Sequence, residues 1–223
     1  MSDVMEKIKN GRQYRNMTIE VKESEAPKEG AFLVRGYCTT YNEPYTLFGT
    51  DEYEVKEQVD PHAFDECDMS DVIMQYDHEG RVFARISNDT LALSSDDHGL
   101  LIEADLGGTS IGRQLYEEIK GGYTNKMSFG FVVDEDSVDE FKEGSRTVYL
   151  RTIKKIGKLY DVSAVSLPAN DGTEISARAY ADGVIAQAEA ERLLEAENER
   201  KAKVEELKQR INKTLLEVKI DGI

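Results

Sequence analysis

Up to about residue 180, apolar residues fall in short alternating runs broken by Gly, Asn and Asp, the period of half-buried strands. The runs are Met17 to Lys22, Ala31 to Cys38, Tyr53 to Val59, Val72 to His78, Val82 to Ile86, Leu91 to Ser94, Leu100 to Leu106, Met127 to Asp134, Arg146 to Ile153 and Lys158 to Leu167. Two helical signals interrupt this mostly β body. Pro61-His62-Ala63-Phe64 predicts a short turn or helix start. From Ser110 to Lys120, Ile111, Leu115 and Ile119 recur at helical spacing, with Ser110 as the cap and Gly121-Gly122 as the stop. Beyond Asp182 the pattern changes. Val204, Leu207, Ile211, Leu215 and Val218 step by three or four between charges and predict one long amphipathic helix, with Ala186, Ala190 and Leu193 continuing the stripe weakly. The expected class is α+β: a segment 1–14, a β-rich body over 15–182, and a helical tail over 183–223.

Composition narrows the classes. The 223 residues fit one domain plus an appendage, and 39% hydrophobic content suffices for an ordinary core. No window approaches the roughly 18–20 apolar residues that span a bilayer, so no membrane role is expected. The formal charge of −16 argues against duplex nucleic acid as the main partner. Nine acidic and eight basic residues from Gly183 to Ile223 leave −1 on the tail and −15 on residues 1–182. Cys38 and Cys67 lack CxxC spacing and read as small packed thiols of a reducing setting; with three scattered histidines they offer no metal-ligand pattern and imply no cofactor.

The chemistry centres on Lys126-Met127-Ser128-Phe129-Gly130-Phe131. In a strand, Met127, Phe129, Phe131 and Val133 share one face, and Ser128 and Gly130 lie on the other. The hydroxyl then stands away from the aromatics, with glycine leaving space beside it. Taken alone, that also describes an ordinary strand serine. His78 follows the alternation Val72, Met74, Tyr76 and reads as a strand-end histidine on their face, either a hydrogen-bonded wall residue or a general base suited to neutral pH. Asp161 is a lone acid in the apolar run Leu159 to Val165, where its desolvation calls for a partner. Ser163 shares its face and can assist. Asp77 reads as a solvated turn acid, and His62 and His98 as structural or exposed.

The ordered series Gly36-Tyr37, Val59-Asp60-Pro61-His62-Ala63-Phe64-Asp65, Tyr76-Asp77-His78, Met127-Ser128-Phe129-Gly130-Phe131 and Leu159 through Asn170, the last ending in Leu167-Pro168-Ala169-Asn170, resembles the prohead maturation proteases of tailed bacteriophages over roughly residues 15–178. His62 departs from the glycine common at that position. The resemblance implies a serine peptidase with a mostly antiparallel β-barrel surrounded by helices, similar to herpesvirus capsid assembly proteases. It implies Ser128 as nucleophile, His78 as general base and Asp161 as the orienting acid. It also implies cleavage of scaffold segments of the major capsid protein precursor, and of the protease itself, in the host cytoplasm inside an assembling procapsid. In that setting the 183–223 helix can dock on a scaffold helix or on another copy of itself, beside the plainer reading of a helix packed on the body or solvated. The alternative is a catalytically silent scaffold- or capsid-binding module on the same fold.

Overall fold

The computed structural model describes residues 13–17, 22–23, 32–166 and 174–220, with side chains described over 32–166 and 183–210. The segment 1–12, residues 18–21 of the first run, Leu167-Pro168-Ala169-Asn170, and the side chains of Ile211, Leu215 and Val218 lie outside the described residues. The chain forms two compact units divided after Val184.

Among the described residues, eleven strands form two sheets in the first unit: β1 (Gln13–Met17), β2 (Lys22–Glu23), β3 (Leu33–Thr40), β4 (Tyr45–Gly49), β5 (Tyr53–Val59), β6 (Ile73–Tyr76), β7 (Glu79–Arg85), β8 (Leu91–Ser95), β9 (Gly99–Asp105), β10 (Lys126–Glu143) and β11 (Arg146–Val165). The larger sheet runs β1-β10-β11-β5-β4, with β6 also on β11 and β7 on β6; the smaller runs β2-β3-β9-β8. The spine of the larger sheet is a long antiparallel hairpin in which β10 pairs with β11 from end to end through several register shifts. The other edge of β11 is divided: Thr147–Ile153 pairs in parallel with Tyr53–Val59, and Asp161–Ala164 in parallel with Ile73–Tyr76.

The expected closed, mostly antiparallel barrel is therefore corrected to two open sheets of mixed direction. Closure requires an unbroken ladder from edge to edge. Among the described residues, β3 and β9 pair within the smaller sheet, and the isolated bridge Tyr41–Val59 replaces a ladder between the two sheets. The parallel pairings of β5 and β6 on β11 place strands distant in sequence side by side.

One apolar core joins the layers. Phe129 and Phe131 stack with ring centroids 4.5 Å apart, Phe64 leans on Phe129, and Leu100, Ile102, Leu106, Leu115 and Ile119 belong to the same cluster. Helix α1 (Ser110–Lys120) buries Leu115 and Ile119 there. Its N-cap is Thr109 rather than Ser110: Thr109 has extended backbone, and its hydroxyl accepts from the Gly112 amide at 3.0 Å. Gly122, at φ 75, ends the helix as expected. Pro61–Glu66 is a chain of turns closed by bonds such as Ala63 N to Asp60 O, and no helix starts there.

A buried ionic cluster fixes the register of β5 on β11. Arg151, directly opposite Glu57, donates Nη1 to its Oε2 at 2.7 Å and Nε to Asp136 Oδ2 at 2.6 Å, while the Tyr45 hydroxyl donates to Glu57 Oε1 at 2.6 Å. Arg151 and Glu57 are 2% and 0% exposed, so the charges are compensated away from water.

Helix α2 (Glu174–Ile220) carries the tail. In the second unit Leu193, Leu194, Val204 and Leu207 are exposed. No helix among the described residues is long and apolar enough to cross a membrane.

Candidate active site

Ser128 and Asp161 are delivered by the same hairpin. Ser128 of β10 faces Ser163 of β11 in register, and Gly130 faces Asp161. The alternation puts Ser128 and Gly130 on the face opposite the core aromatics, as the sequence predicts. The position flanked by Ser128 and Asp161 thus carries no side chain. Both polar residues are completely buried, as is Ser163.

His78 arrives from elsewhere in the chain. Strand β6 stops at Tyr76, which pairs with Glu79, and Asp77-His78 form the two-residue turn between them. Both have positive φ, 49 and 59. A twisted hairpin prefers this conformation at its two central positions, where Asn-Gly is the common solution. For residues other than glycine, sparsely populated backbone costs about 1–3 kcal/mol each, least for Asn, Asp and His, and it persists where the surroundings enforce it. His78 is therefore a turn residue rather than the strand-end residue expected from the alternation, and the turn swings its ring over the Ser128 face.

The three groups meet in a line. His78 Nδ1 lies 2.5 Å from Asp161 Oδ1, and Nε2 lies 2.6 Å from Ser128 Oγ. The Nδ1-protonated tautomer satisfies both contacts: Nδ1–H donates to the carboxylate, and Nε2 accepts from the serine hydroxyl. Ser163 Oγ donates to the same Asp161 oxygen at 2.8 Å. Asp161 thus accepts two hydrogen bonds where it is removed from water, which offsets its desolvation. The His78 side chain is 14% exposed, so the imidazole is the part of the line that reaches solvent. A hydroxyl held by an imidazole whose far nitrogen is held by a carboxylate can pass its proton to Nε2 as it attacks an electrophile.

The remaining histidines stand apart. His62 Nδ1 contacts Asp65 Oδ2 at 3.0 Å at an exposed turn, and the His98 ring packs edge-on against Tyr37 at 4.5 Å. Both thiols are raised by burial: Cys67 is pushed up to about 11, and Cys38 still further. They are poor nucleophiles beside the serine.

Asp77 is an exposed turn acid, as the sequence predicts, but it also makes contacts that no local pattern shows. Its carboxylate accepts from the Ser166 amide at 2.8 Å and from the Ser166 hydroxyl at 2.8 Å, and its own amide donates to Ala164 O at 2.9 Å. The available signal was the pair of non-glycine residues in a two-residue hairpin turn, since such a turn needs external support.

A family model described as "Caudovirus prohead serine protease" matches residues 17–184. No curated protein and no solved structure matches the chain. The match covers well over half of the 223 residues and includes Asp77, His78, Ser128, Asp161 and Ser166. The chain belongs to this family of phage serine peptidases.

Proposed function

We propose that this prohead serine protease cleaves the scaffold segments of a capsid precursor inside the assembling procapsid, with Ser128 as nucleophile, His78 as general acid–base and Asp161 as the orienting carboxylate. The observation that carries the residue assignment is the unbroken hydrogen-bonded line from Asp161 Oδ1 through the His78 ring to Ser128 Oγ. The substrate assignment rests on the family to which the chain belongs.

The reaction is acyl transfer. Ser128 Oγ bonds to the peptide carbonyl carbon while its proton passes to His78 Nε2, and the carbonyl π electrons move to oxygen. As the C–N bond breaks, His78 returns that proton to the leaving amine, and an ester to Ser128 remains. Water then attacks the ester carbon, His78 takes its proton, and the serine departs with that proton restored. Asp161 holds Nδ1–H throughout and stabilises the imidazolium each time it forms. Ser163 holds the Asp161 oxygen that faces the ring. The exposed apolar residues of α2 suit a docking role on a scaffold helix or on a second copy.

Co-expression with the capsid precursor tests this directly, comparing wild type with Ser128→Ala by intact-mass measurement of the products. Wild type should yield discrete precursor fragments and Ser128→Ala none, with both chains folded. Equal processing by the two would remove Ser128 from the mechanism, and a folded wild type that cuts neither the assembled precursor nor itself would overturn the protease reading.

A further inference from the structure

The turn that carries His78 is weakly held by its own hairpin. After Tyr76 pairs with Glu79, the next β6–β7 pair is Met74 with Ala84, so Gly80–Phe83 bulge out on the β7 side. Glu79, Gly80, Arg81 and Val82 are all exposed. The pairing of β6 with β11 also ends at Tyr76, opposite Ala164. Yet the His78 ring must hold contacts of 2.5 and 2.6 Å on its two sides, and in-line proton transfer tolerates little displacement of either.

We infer that Asp77 is a positioning residue for the base: its carboxylate clamps the His78 turn to Ser166, the residue that follows the strand presenting Asp161. This rests on the assignment of His78 and Ser128 proposed above. The clamp extends the β6–β11 pairing past the last strand residue. The Asp77 amide bonds Ala164 O, and the carboxylate receives both the amide and the hydroxyl of Ser166. Since Ser166 directly follows the strand that holds Asp161 and Ser163, the turn is tied to the same rigid body as the acid it must reach. Two hydrogen bonds to an ionised group suit this task, being short and directional. Aspartate also tolerates the left-handed backbone that the turn requires, so one residue supplies both the conformation and the tether.

The two contributions separate by substitution. Asp77→Gly relieves the backbone and removes the tether. Asp77→Asn keeps an oxygen for the Ser166 amide and an NH₂ for its hydroxyl. Ser166→Ala removes one of the two bonds. The readouts are the rate of Ser128 modification by a fluorophosphonate across pH, and the NMR signal of the proton shared by His78 Nδ1 and Asp161. Far-UV circular dichroism and urea unfolding establish that each variant is folded.

Asp77→Gly should lose ten- to a hundred-fold in modification rate and broaden or lose the Nδ1 proton signal. Asp77→Asn should stay within about threefold of wild type, and Ser166→Ala should fall between them. Full reactivity of Asp77→Gly would overturn the inference, as would an equal loss in Asp77→Asn, because the carboxylate's charge and not its hydrogen bonds would then be at work. A folded wild type that is inert to the fluorophosphonate would instead overturn the assignment of Ser128; the Nδ1 proton signal still reports on the clamp in that case.

Discussion

Replacing Arg151 by methionine should destabilise the body of the protein by about 3–5 kcal/mol, the range for removing one partner of a buried ion pair. Three contacts support the upper part of that range: Nη1 to Glu57 at 2.7 Å, Nε to Asp136 at 2.6 Å and Nη2 to Asp136 at 2.5 Å. Glu57 is 0% and Asp136 11% exposed, so water cannot replace the lost donors without opening the sheet. Methionine fills much of the volume, which confines the loss to electrostatics and hydrogen bonding. Against a typical domain stability of about 5–15 kcal/mol, the loss is a large fraction of the total. The chain has no tryptophan, so urea unfolding is best followed by far-UV circular dichroism. The sign of the pH dependence is fixed. Without the guanidinium, folding holds the Glu57 carboxylate away from water with its cationic partner gone, which favours the protonated acid in the folded variant over the unfolded chain. Folding is then favoured by acid, and the deficit should be smaller at pH 5 than at pH 7. Glu57→Gln in the Arg151→Met background should recover part of the loss at pH 7. A deficit below about 1 kcal/mol, or one identical at both pH values, would refute the claim that the cluster holds charge in a desolvated site.

Asp161→Asn should leave the fold intact and reduce peptide cleavage by about 10³–10⁴-fold, since the imidazolium loses its counter-charge, whereas Ser163→Ala should cost closer to tenfold; single-turnover rates distinguish them, and equal small effects would deny Asp161 its role. Gly112→Ala, which on an exposed helix would stabilise by about 1 kcal/mol, should instead destabilise by about 1–3 kcal/mol, because its Cβ would fall 2.2 Å from Leu106 O; a raised melting temperature contradicts this. Cys67, raised by burial to about 11, should react with iodoacetamide near pH 8 about a hundredfold more slowly than in urea and accelerate as the pH approaches 11. Rapid labelling of the native protein at pH 8 would show that the thiol is not held in this environment.

Periodicity revealed the strands that bury one face. Tyr53–Val59 has the bounds expected for it, and Leu91–Ser95 and Gly99–Asp105 lie within one residue of theirs. It failed where a strand is held by its neighbour instead of by its own apolar face. Residues 135–143 of β10 are mostly acidic and exposed, yet they continue the strand because each pairs across the hairpin with β11. The open sheets were equally hidden: parallel pairing of β5 and β6 on one edge of β11 brings together segments about 90 residues apart, a relation that no local pattern encodes. At the candidate site, Asp161 stands out as a lone acid in an apolar run, whereas Ser128 alone reads as an ordinary strand serine and takes its proposed role from its partners and the family resemblance. The setting of His78 was not legible, because alternation was extended through Asp77-His78, where the chain turns left-handed. The value of Asp77 depends on Ser166, 89 residues away, a partner that tertiary structure alone supplies.

The divided edge of β11 also bears on when the protease becomes dangerous. The β10–β11 hairpin closes between neighbours in sequence and can zip from its Gly144 turn, so Ser128 and Asp161 come together through local contacts. The histidine joins them through long-range contacts, the parallel pairing of Ile73–Tyr76 with Asp161–Ala164 and the bonds of Asp77 to Ala164 and Ser166, whose long loop makes their formation slow. During synthesis His78 and Ser128 leave the ribosome well before Asp161 and Ser166. On the proposed assignment, an incomplete chain cannot form the line from Asp161 through His78 to Ser128, because that line needs the last residues of β11.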